Sequence, residues 1–242
     1  VAPHGTGNHD SCSVPSDPTT LAQPEVVLVA WAAGLALVSG AVALARLVGP
    51  GFTWLVGSVA LVIGIVGVFA GDPWWARVGI VLLALGILWA RNRQMSGMLQ
   101  LFAGLALVVQ SAAGSGWLPA LSATLALGGV TGEMALGHWY LVDPRLPRPI
   151  LKTLAVVGIM GLVADAAMIA YVGLPGGGVT VAYWVLMATS CVLMAGVYGS
   201  LRYPAYSGVM AATGLSYLAV LTTLGGMFLG RALAAGIGPF VA

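Results

Sequence analysis

The chain has 242 residues, of which 60% are hydrophobic and only 7% charged, with a formal net charge of +2. Soluble domains carry roughly 25% charged residues, so this composition excludes a water-soluble globule and implies that most of the surface meets lipid. The small net charge gives no reason to expect a nucleic-acid partner, and the 35 glycines suit helices that approach one another closely in a membrane.

Residues 1–24, rich in Pro, Ser, Gly and Asp and without Lys or Arg, read as a flexible tail. They have neither the basic start nor the apolar core of a signal peptide. From Glu25 onward the chain is a series of apolar runs, each near the roughly 20 residues that cross about 30 Å of hydrocarbon. The first runs from Glu25 to about Leu47 and stops at Gly49-Pro50-Gly51. The second spans Phe52 to Ala70, the third Trp74 to Ala90, and the fourth Met95 to Ala113. The connection between the third and fourth is very short, and that division is the weakest of the set.

The fifth run goes from Trp117 to about Tyr140, where Pro144, Pro147 and Pro149 stop it by removing donors and fixing φ. The sixth spans Ile150 to Val172, the seventh Val179 to Leu201, and the eighth Tyr206 to Leu233. Barrel strands would be short and alternating, whereas these runs are continuous. A helix also satisfies its own backbone in lipid. The expected fold is therefore all-α: a polytopic transmembrane bundle of eight spans over residues 25–242, with no soluble domain and no convincing internal repeat.

Eight spans place Arg46, Arg91, Arg93, Arg145, Arg148, Lys152 and Arg202 on one side and only Arg77 and Arg231 on the other. Basic residues accumulate in cytoplasmic loops. The expected orientation has both termini, and the tail, extracytoplasmic in a bacterial-type plasma membrane. The cluster Arg145, Arg148 and Lys152 reads first as a topology signal touching lipid phosphate, and second as a docking point for a cytoplasmic partner.

The cysteines, Cys12 and Cys191, form no ligand spacing, so no zinc or iron–sulfur site is expected. Cys191 reads as a small packing residue. Walker, HExxH and GxSxG motifs are absent, and no span carries a lysine suited to a Schiff base.

Only Glu133 and Asp165 are acids well inside the spans. A charge in hydrocarbon is costly, so such residues face protein or a cavity. Glu133 lies about 10 Å from the inner end of its helix by helical rise. It is a proton-carrying candidate, with a structural hydrogen-bonding role as the equal alternative. Beside it Gly128, Gly129 and Gly132 offer a face for a close neighbour. Asp165 falls in the outer half, at a different depth, and is expected to pair with Arg77 or Arg231, both on that side. The alternative for Asp165 is a proton or ion path.

His138 follows Glu133 by five residues, about 140° round a helix of 3.6 residues per turn. The two could line one cavity if a ligand spans them. His138-Trp139-Tyr140 also reads as an interfacial aromatic belt. A haem held by two histidines of this chain is not expected, since His4 and His9 are both in the tail.

Small helix bundles with almost no loops commonly anchor larger redox assemblies, an argument by analogy. On that basis the first functional expectation is a membrane subunit of a respiratory or other electron-transfer complex. It would contact a quinone near the cytoplasmic face, with His138 as donor and Glu133 as proton acceptor. The alternatives are a proton-coupled small-solute transporter and a purely structural or assembly subunit. The partners implied are the bilayer and other membrane or redox subunits.

Overall fold

The computed structural model describes residues 24–69, 74–144, 146–174 and 176–234. The tail before Pro24, its Cys12, His4 and His9, and Arg145 lie outside the described residues. Among the described residues eight helices follow in order: α1 (Pro24–Leu44), α2 (Pro50–Val68), α3 (Trp74–Leu88), α4 (Arg93–Ser115), α5 (Trp117–Val142), α6 (Arg148–Val172), α7 (Gly178–Ser200) and α8 (Tyr206–Ala234). Among the described residues there is no strand.

The helix ends follow local chemistry. Pro50 opens α2 and Pro149 sits in the first turn of α6, where a missing N–H costs nothing. Asn92 caps α4 by accepting from the Met95 N–H at 3.2 Å. Gly116, at φ +88°, both ends α4 and starts α5. That backbone angle favours glycine, which is why so tight a reversal falls there.

Six of the helices are long and apolar enough to cross a membrane, marking the chain as a multi-pass integral membrane protein. The other two differ from the expected pattern for separate reasons. Helix α3 has 15 residues, about 22 Å of rise, short of the roughly 30 Å hydrocarbon core. Helix α5 is long enough but carries Glu133, His138 and many small and hydroxylic residues. It packs against α1, α4, α6 and α8, so it meets protein where an outer helix meets lipid.

The helices form two closed rings. In the first, α1 packs on α2 and α4, and α3 packs on the same two. In the second, α5 packs on α6 and α8, and α7 packs on those two. The contact pattern of α1–α4 is thus matched by that of α5–α8, a likeness that the residues themselves did not reveal. The rings join along α1 and α5. There a Cβ on Gly34 would lie 2.6 Å from the Gly128 Cα, and the reverse holds for a Cβ on Gly128. Gly132 faces Val38 of α1, and Gly129 meets Gly158 of α6. Small residues at these crossings let the backbones touch, and van der Waals packing supplies the cohesion that hydrophobicity cannot supply in lipid.

Candidate ligand groove and buried acids

The last turns of α5 build a groove with one stripe of the helix. Thr131, Met134, Ala135 and His138 line it, the i, i+3, i+4, i+7 spacing of a single helical face. The groove encloses about 220 Å³. Its opposite walls are Trp31 and Leu35 of α1, Phe52, Val56 and Val59 of α2, and Tyr217 and Val220 of α8. It therefore runs along the seam between the two rings. Leu55, Val59, Tyr217 and His138 are exposed at its mouth, so it opens on the outer surface of the bundle.

Each end of the groove carries one polar pair. At one end the Tyr217 hydroxyl lies 3.2 Å from His138 Nδ1, and their rings meet edge to face with centroids 6.4 Å apart. At the other, the Trp31 indole N–H donates to Thr131 Oγ1 at 3.3 Å. Thr131 in turn donates to the Leu127 carbonyl. Seven residues separate Thr131 from His138, about 10 Å along the axis. The walls between are apolar.

The aromatic run at the end of α5 divides in function. Trp139 packs edge-on against Phe52, with centroids 5.6 Å apart. Tyr140 is buried beneath the Arg148 guanidinium, 5.9 Å from its ring centre. Arg148 also donates to the Tyr203 carbonyl at 2.7 Å and the Ala205 carbonyl at 3.4 Å. It staples the start of α6 to the turn before α8. Lys152 is half-buried in the next turn of α6. Arg202 stacks over Tyr198 at 4.9 Å.

Glu133 does not line the groove. It is 0% exposed and points to the α5–α8 contact, where Ser216 lies beside it. Gly137, one turn on, leaves it room, since a Cβ there would lie 2.8 Å from Thr213 Oγ1 and 3.5 Å from Glu133 Oε1. The Thr213 hydroxyl donates to the Val209 carbonyl and Ser216 to the Thr213 carbonyl, both at 2.9 Å. Both hydroxyls thus have backbone acceptors; Ser216 also lies against the Glu133 carboxyl, whose oxygens meet no other protein donor. Only His138 of the two lines this groove. They lie on different faces of α5, both turned toward α8.

Asp165 lies at the opposite end of the second ring. Arg231 Nη2 donates to Asp165 Oδ1 at 2.5 Å, with both side chains buried. Ser122 donates to the same oxygen at 2.9 Å. Arg231 also donates to the Pro119 carbonyl at 3.2 Å and approaches Met168 Sδ at 3.9 Å. Arg77, the other candidate partner, belongs to α3 in the first ring. Ser122 and Glu133 are eleven residues apart on α5, about 16 Å by helical rise. The two acids therefore occupy different depths.

Three contributors were not singled out from the residues alone: Tyr217, Trp31 and Tyr183. Tyr183 is fully buried, close to the Asp165–Arg231 pair, and its hydroxyl has no partner. The signal that was available lies on α8. Thr213, Ser216, Thr223 and Arg231 are spaced to fall on one side of that helix. Among the described residues no three His, Cys, Asp or Glu side chains come together to hold a metal ion. No protein-family model, curated protein or solved structure matches the chain.

Proposed function

We propose that the chain is the membrane subunit of an electron-transfer complex and that its groove takes a lipid-soluble quinone. In this reading all eight helices cross the membrane. α3 does so with help from its flanking residues and α5 inside a sheath of neighbours. The excess of Arg and Lys on that side supports a His138 end at the cytoplasmic face of a bacterial-type plasma membrane, with both termini opposite.

The observation that carries the reading is the groove: apolar walls, a mouth open to lipid and one histidine–tyrosine pair at its end. Ligand pockets are commonly roughly 300–1,000 Å³ and mostly apolar, with a few placed polar groups. At about 220 Å³ this one fits a single flat ring with its tail left in the bilayer. Such a ring offers carbonyl acceptors and supplies two-electron redox chemistry when bound. His138 and Tyr217 would hold it: one donates to a carbonyl while the hydrogen bond between them fixes the imidazole orientation. Glu133, one helix face away, stores the proton out of contact with the ligand.

Quenching of Trp31 and Trp139 fluorescence by a short-tailed benzoquinone tests the reading in the purified protein. Saturable quenching is expected, weakened about tenfold or more in His138→Ala/Tyr217→Phe, since each lost hydrogen bond to a buried group costs on the order of 1 kcal/mol. Equal quenching in the double variant would sink the assignment.

A second reading is favoured by one observation. The matched contact rings resemble the repeated halves of many transporters, whose substrate sites lie between the repeats. Solute uptake by the isolated protein in liposomes under a proton gradient, without quinone binding, would select it.

A further inference from the structure

Buried polar atoms without a partner are few in native proteins, and each calls for a reason, often water. Among the described residues seven such side-chain atoms occur. Four of them belong to Glu133, Thr223 and Tyr183, all inside the second ring. The α8 face that carries Thr213, Ser216 and Thr223 connects these residues. At one end of it stands Glu133, beside Ser216. Thr223 is fully buried in mid-helix. Tyr183 packs its ring on Gly230, where a Cβ would lie 2.6 Å from the ring edge. Arg231 follows with its partner Asp165. From Thr213 to Arg231 is eighteen residues, about 27 Å of helix, close to the full hydrocarbon thickness of about 30 Å.

We propose that this face of α8 lines a file of buried water that carries protons between Glu133 and the Arg231 end of the bundle. The proposal rests on the proton-carrying role of Glu133 and not on what fills the groove. Each unpartnered oxygen is a site where a water can both donate and accept. Thr223 divides the distance, roughly 10 Å from Ser216 and 12 Å from Arg231 by helical rise, gaps that a few waters bridge. Transfer conserves every group: each oxygen takes one proton as it releases the one it held, and the hydroxyls of Thr223 and Tyr183 end as they began. At the far end Arg231 and Asp165 form a pair with no net charge, so the entrance does not repel a proton as a lone guanidinium would.

The full chain in liposomes, with a trapped pH dye and a potassium diffusion potential, tests the file. Proton influx above that of protein-free vesicles is expected. It should fall about tenfold or more in Thr223→Val, which keeps the shape and removes the hydroxyl, because each lost hydrogen-bonded link raises the barrier. Thr223→Ser should restore it. Ser39→Ala, which removes an unpartnered buried hydroxyl in the first ring, should leave it unchanged. Wild-type flux equal to that of empty vesicles would overturn the proposal, as would full flux in a folded Thr223→Val. Quinone quenching measured on the same preparations separates the two readings: a lost file with retained quenching leaves the groove assignment standing.

Discussion

The two rings of helices have the same contact pattern and different interiors. The first is filled by Phe52, Val56, Leu83 and Leu107, and its buried polar side chains are Ser39, Thr53, Ser96, Gln100 and Ser111, none of them ionisable. Its main polar contact is Gln100, which donates at 3.4 Å to the Thr53 carbonyl and to Ser96 Oγ, while Ser96 donates to the Gly86 carbonyl at 2.7 Å. The second ring buries Glu133, Asp165 and Arg231. Among the described residues α1–α4 close without a buried charge, so this four-helix arrangement does not of itself require one. The ionisable groups of α5–α8 therefore set the second ring apart, and such groups in hydrocarbon face protein, pair with one another or mark a path.

The largest expected effect follows from breaking the pair in the second ring. Asp165→Ala leaves the Arg231 guanidinium buried without its partner, a change that costs about 3–5 kcal/mol. Gln100→Leu, the nearest equivalent in the first ring, removes two long hydrogen bonds and one unpartnered oxygen and should cost no more than about 1 kcal/mol. Unfolding in mixed detergent micelles would measure both. Replacing the pair together, Asp165→Leu with Arg231→Met, should recover most of the loss. Equal losses at Asp165 and Gln100 would remove the contrast between the rings.

Next comes the seam itself. Gly128→Ala forces a methyl group to 2.6 Å from the Gly34 Cα, and overpacking of this kind costs about 1–3 kcal/mol. The same substitution at Gly214, where a Cβ meets nothing within 4 Å, should be neutral or slightly stabilising, since alanine is the better helix former. Because the groove shares the seam, Gly128→Ala should weaken quinone quenching as well as stability. A folded variant with unchanged quenching would show that the groove does not depend on how the rings meet.

Much of this was legible in the residues because membrane helices announce themselves by length and composition. Every helix lies within a few residues of its apolar run. The predicted close approach at Gly128 and Gly132 is the contact with Gly34 and Val38 of α1, though nothing in the residues named α1 as the neighbour. The matching contact pattern was hidden because packing constrains only size and smallness at crossings, and two rings can meet those needs with unrelated residues. The groove was hidden for another reason. Its His138–Tyr217 pair joins residues 79 apart in the chain, and a lone Tyr on a lipid-facing helix looks like any other. Likewise Thr223 is one of many scattered hydroxyls until Tyr183, Glu133 and Arg231 are seen on the same side of α8.

The smallest expected effect is the one whose sign matters most. Glu133 is fully buried and its oxygens meet no protein donor except the neighbouring Ser216, a hydroxyl that, like Thr213, already has a backbone acceptor. If the carboxyl held α5 to α8, removing it would destabilise the second ring. The geometry indicates the reverse, because a buried carboxyl with so few protein donors, held otherwise only through water, is a cost that the fold carries. Replacing it with an apolar side chain of similar shape is nearly neutral or stabilising. Glu133→Met should therefore raise stability by about 1 kcal/mol, as removal of a strained functional group often does, and should abolish proton influx in liposomes. Glu133→Gln should do neither fully, since it keeps the size and the unmet hydrogen bonds but loses the proton. A drop in stability with Met, together with retained influx, would make Glu133 a structural residue and leave the second ring's charges without the role that distinguishes it from the first.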